Sequence, residues 1–66
     1  MRIKINGEER EITDGVDLAA LLDSLQIRPG RVVVERNKQI VPRDSFSAIN
    51  LVDGDVLEIV HFVGGG

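Results

Sequence analysis

Few groups in this chain are equipped for chemistry. The sequence ends on three glycines, Gly64, Gly65 and Gly66, directly behind the strand-like run LEIVHF. Beyond these there are one histidine, His61, the serines Ser24, Ser45 and Ser47, and scattered carboxylates. The terminal carboxylate is the group whose setting is most unusual. A carboxylate is a poor electrophile until one oxygen becomes part of a good leaving group, such as AMP. Glycine suits such a terminus, because no Cβ crowds the Gly66 carbonyl and an extended run of three threads a narrow channel. The plain alternative is a frayed end, since terminal glycines are commonly mobile. Two features weigh against it: the glycines leave a strand expected at the centre of a sheet, and nothing follows the last of them.

The other candidates are weaker. His61 invites a catalytic reading because histidine is the residue type best suited to moving protons near neutral pH, but no nucleophile stands in a motif it could activate, so it reads as a packed or partly exposed strand residue, and no catalytic residue is assigned. The chain has no cysteine, which excludes disulfides, thiolate metal sites and a cysteine nucleophile. Neither a His-x-x-x-His spacing nor an EF-hand loop occurs, so no metal site is expected. Arg43 reads as an exposed turn residue, with contact to a partner carboxylate as the functional alternative. Asp53 and Asp55, on either side of Gly54, read as turn chemistry.

The elements that must position the tail follow from periodicity. Residues 2–6, RIKIN, alternate with Ile3 and Ile5 on one face. Asn6 and Gly7 suit a type I′ turn, which fixes an antiparallel return over residues 8–12 with Ile5 opposite Glu8, Lys4 opposite Glu9 and Arg2 opposite Glu11. That register puts Arg10 on the Ile3 face, its stem covering the core edge. Asp17 is placed to cap a helix whose apolar stripe is Leu18, Leu21, Leu22 and Leu25, with Asp23 and Gln26 outward. Arg28, Pro29 and Gly30 are its expected stop. Val32, Val33 and Val34 form a third strand, Asn37 and Lys38 a turn, residues 39–41 a fourth strand ended by Pro42. The run DSFSAINL suggests a short helical turn with Phe46, Ile49 and Leu51 inward. Asp53 and Gly54 lead into the last strand, on which Leu57, Ile59 and His61 alternate toward the helix while Glu58, Val60 and Phe62 face away.

In 66 residues, this order requires one helix crossing one face of a single mixed sheet of about five strands. The expected fold is α+β, a β-grasp like that of ubiquitin, with a folded domain over residues 1–63 and a glycine tail over 64–66. A formal net charge of −3 with dispersed basic residues argues against nucleic acid as a partner. No apolar run approaches membrane-spanning length, and the chain reads as cytoplasmic with no membrane association.

NKQIVPRDSF in the middle and DGDVLEIVHFVGGG at the end, with INGEEREI and the Leu-rich helix, resemble the thiamin-biosynthesis sulfur carrier family, whose members are ubiquitin-like. The resemblance covers essentially the whole chain; Phe46 stands where that family often has Trp. It implies that an adenylating, E1-like enzyme uses ATP and magnesium to activate the Gly66 carboxylate, the carrier itself binding no cofactor. A protein persulfide then converts the acyl-adenylate to a thiocarboxylate, which thiazole synthase consumes. The chain would be a protein co-substrate and not an enzyme. Two other functions fit the same features: the small subunit of molybdopterin synthase, and a ubiquitin-like binding module with an inert tail.

Ordering a flexible tail in a partner's channel costs roughly 1–2 kcal/mol per residue, so an anchor on the folded body is expected. Val60 and Phe62, an aliphatic and an aromatic residue on the face away from the helix, are the candidates for partner docking. The alternative is that Phe62 folds over a sheet edge as core.

Overall fold

The computed structural model describes residues 1–62, so Gly64, Gly65 and Gly66 lie outside the described residues. Arg2–Ile5 (β1) and Glu8–Glu11 (β2) form the first hairpin. Asn6 and Gly7 adopt φ angles of 50° and 85°, the left-handed pair of a type I′ turn. The resulting register is the expected one: Ile5 faces Glu8, Lys4 faces Glu9 and Arg2 faces Glu11. Arg10 lies opposite Ile3 and is exposed.

The helix α1, Leu18–Ser24, begins where Asp17 accepts a hydrogen bond from the Ala20 N–H at 2.7 Å. It ends earlier than Pro29 and Gly30 would dictate. Gln26 takes a φ of 60°, its N–H donates to the Asp23 carbonyl, and the Ile27 N–H donates to the Leu22 carbonyl, both at 2.9 Å. This is a Schellman closure with glutamine at the position usually held by glycine. Pro29 instead opens a separate 3₁₀ turn, Pro29–Arg31. A left-handed φ costs an L-residue about 1–2 kcal/mol, partly offset by the extra unfolded-state entropy of glycine. Gln26→Gly is therefore expected to stabilise the fold by about 0.5–1 kcal/mol, measured as a rise in the denaturation midpoint at unchanged slope.

Val32–Arg36 (β3) and Gln39–Val41 (β4) flank a second left-handed pair, Asn37 and Lys38, with φ of 52° and 71°. A six-residue 3₁₀ segment, Arg43–Ala48, buries Phe46. Ile49 is half-buried and Leu51 buried, as the inward assignment requires. Backbone bonds from Leu18 N–H to Ile49 O (2.9 Å) and from Leu51 N–H to Val16 O (3.1 Å) tie this segment to the start of α1.

The last strand, Val56–His61 (β5), enters the middle of the sheet, whose order is β2-β1-β5-β3-β4. It runs parallel to β1 and antiparallel to β3. Leu18, Leu21 and Leu22 of the helix pack with Ile3, Val34 and Leu57 of the sheet in one core. This is the β-grasp arrangement, with the opposite face of the sheet left open. No helix among the described residues is long and apolar enough to cross a membrane.

Candidate functional site

The root of the glycine tail is the far end of β5, which β3 holds along its whole length and the β1 flank holds as far as Ile59. Along β3 the pairing runs from Arg36 opposite Leu57 to Val32 opposite His61. The Phe62 N–H then donates to the Arg31 carbonyl at 2.9 Å, so Phe62 is anchored through its backbone. On the other flank β1 turns away early. Its last backbone bond to β5 is from Asn6 N–H to Leu57 O, at 2.9 Å.

Beyond that point a side chain continues the ladder. The Asn6 carboxamide accepts from the Ile59 N–H at 2.7 Å and donates to the Ile59 carbonyl at 3.1 Å. Asn37 does the equivalent at the start of β5: its carboxamide oxygen accepts from Val56 N–H at 3.0 Å, and its backbone N–H donates to Val56 O at 2.8 Å. Each of these asparagines holds the first central position of its I′ turn. Sequence reasoning read both as turn residues only, and the second role depends on which strand lies beside each turn.

Asp55, just before β5, is more than a turn residue. It is 3% exposed and accepts hydrogen bonds from the Val52 N–H (2.9 Å), the Asn37 carboxamide (3.1 Å) and Arg36 Nε (3.0 Å). Burial alone would raise its pKa, but the hydrogen bonds from Val52, Asn37 and Arg36, with the Arg36 charge, outweigh it and hold the carboxyl below the usual aspartate value. Asp53 is exposed and accepts from the Arg2 N–H at 2.7 Å, while Gly54 between them takes a φ of 88°. The turn is thus as expected, and the burial of Asp55 is the part that sequence did not disclose.

Val60 and Phe62 are each 60% exposed on the open face, so Phe62 is not core. Val33 lies opposite Val60 and is half-buried. Beside them a shallow groove runs between Phe62, Val33, Ile40, Pro42 and Arg43. Arg43 is exposed, as expected of a turn residue, and its guanidinium crosses Gly30 so closely that a Cβ there would stand 3.1 Å from Nη1. His61 departs from the alternation: it is exposed, because the cover provided by α1 and the 3₁₀ segment ends at Ile59. Among the described residues its imidazole has no hydrogen-bond partner, and no three His, Asp or Glu side chains gather as a metal-ligand set.

The model of the ThiS family matches residues 3–66. The chain is 42% identical over 65 residues to the sulfur carrier protein ThiS of Bacillus subtilis, of which it covers 98%. It is 47% identical over 66 residues to the thiazole synthase of Paramagnetospirillum magneticum, but spans only 20% of that protein. Among solved structures it is similar to the thiamine biosynthesis protein (ThiS) of Geobacter metallireducens, with a TM-score of 0.86, 30% identity and full coverage of both chains.

Proposed function

The chain belongs to the ThiS family, and we propose that it is a sulfur carrier of thiamin biosynthesis whose working group is the Gly66 carboxylate. The observation that supports this most directly is that the family match extends through residue 66 while the central strand β5, pinned on both flanks, leads into the tail. A rigid base and a side-chain-free end suit delivery of one carbonyl into successive active sites.

An adenylating enzyme uses ATP and magnesium to join the carboxylate to AMP with loss of pyrophosphate, creating the leaving group that the carboxylate lacks. The terminal sulfur of a protein persulfide displaces AMP to give an acyl disulfide, and a thiol then reduces its S–S bond, releasing the donor cysteine and leaving Gly66 as a thiocarboxylate. Thiazole synthase then takes the sulfur, and the carrier returns with its carboxylate restored. Gly64 and Gly65 give the chain its passage through each channel. Val60 and Phe62 dock the folded body against the activating enzyme, and burying them offsets the cost of ordering the tail.

The experiment is to incubate the protein with its activating enzyme, ATP, magnesium, a persulfide donor and a thiol reductant, and to measure intact mass. One oxygen should be replaced by sulfur, only when ATP is present. Absence of sulfur under these conditions, with an activating enzyme proven on another carrier, would make the tail inert and leave a ubiquitin-like binding module.

A further inference from the structure

The open face of the sheet uses charge in two opposed ways. At its β1–β2 end, Lys4 faces Glu9 and Arg2 faces Glu11, pairs of opposite sign. On β3 and β5, Glu35 lies directly opposite Glu58. Cross-strand neighbours stand about 4.5–5.5 Å apart at Cβ, and like charges there are destabilising. Neither carboxylate is in an ion pair: among the described residues the ion pairs within 4 Å are Met1 amino group–Asp14, Arg2–Glu11 and Arg36–Asp55, and Lys4, on the β1 flank opposite Val56, is diagonal to Glu58 without pairing to it. On the β4 side and toward the end of β5 the face beside the two carboxylates is apolar. Ile40 lies opposite Glu35, Val33 opposite Val60, and Phe62 borders the adjacent groove.

We propose that this half of the open face is a docking surface for an enzyme that places an arginine between Glu35 and Glu58 and an apolar side chain in the groove beside Phe62. The folded chain alone gains nothing from two like charges set opposite each other and unpaired. A partner gains a great deal. A planar guanidinium presents enough donors to bridge two carboxylates, which a lysine ammonium meets only as a point charge. Closure over Ile40, Val33 and Val60 excludes water from the charge pair and strengthens it. Thiazole synthase is the partner assigned to this surface, because a segment similar to this chain forms a fifth of the Paramagnetospirillum magneticum protein of that name. The inference rests on the carrier reading above. Since Val60 and Phe62 also serve the activating enzyme, the two docking events are sequential.

The test measures melting temperature and affinity for purified thiazole synthase from the same genome, by calorimetry. Glu58→Arg turns a repulsive pair into an attractive one, so it is expected to raise the melting temperature by about 2–4 °C while weakening binding at least about tenfold. Glu58→Gln should do both to a smaller extent, and Phe62→Asp should weaken binding with little change in melting temperature. Wild-type affinity in folded Glu58→Arg and Glu58→Gln would overturn the proposal, as would a fall in melting temperature in both. If the wild type gains sulfur at Gly66 but does not bind thiazole synthase, the docking surface fails and the loading chemistry stands. If it binds and Glu58→Arg releases it, yet no sulfur is gained, the surface stands and the carrier reading fails.

Discussion

Deleting Gly66 is expected to reduce ATP-dependent sulfur loading by at least about a hundredfold and to leave the melting temperature unchanged. One residue of extended chain spans about 3.3–3.6 Å, so the shortened protein still ends in a glycine carboxylate but presents it that far from the nucleotide. Displacing a reacting group by about 1 Å already costs on the order of a hundredfold in rate. Among the described residues, the last bond that fixes the end of β5 is made by the Phe62 N–H, four positions before this one. Gly65→Val separates reach from width, since it keeps the length and adds bulk inside the channel; it should impair adenylation while preserving circular dichroism. Full loading of the shortened chain would show that the activating enzyme does not measure reach, and a large loss of stability would show that the terminus is packed structure.

Asp55→Ala is the substitution expected to damage the fold most, by about 2–4 kcal/mol. It removes a buried acceptor and leaves the Val52 N–H, the Asn37 carboxamide and the Arg36 guanidinium without their shared partner. A domain of this size has a total stability of roughly 3–10 kcal/mol, so the variant should be unfolded in a large fraction at elevated temperature. The effect also carries a pH signature. Because the folded-state pKa of Asp55 lies below its ordinary value of 3.8, the carboxylate's stabilisation is fully present above that value and is lost as pH falls through the lower folded one. Chemical denaturation of wild type and Asp55→Asn should therefore differ at neutral pH and converge in acid. A constant difference across this range would assign the effect to packing and not to the charge.

Local chemistry alone determined much of this protein. The Asn6-Gly7 pair fixes the first hairpin and its register, because a two-residue loop with two positive φ angles leaves one alignment. Asp17 and the leucine spacing fix where α1 begins and which side it buries, and the alternation of β5 puts Val60 and Phe62 on the open face. Each of these depends on residues a few positions apart. Strand order decided the rest. Asn6 and Asn37 become clips on β5 only because β5 passes between the two hairpins, and Asp55 becomes a buried acceptor only because that same strand starts beside Arg36. His61 has the alternation of a core residue, but its exposure is set by where the cover over the sheet ends. Glu35 and Glu58, unremarkable in separate segments, become a like-charge pair when β3 and β5 align. Burial and cross-strand electrostatics are properties of neighbours in space, and a sequence specifies those neighbours only through the completed fold.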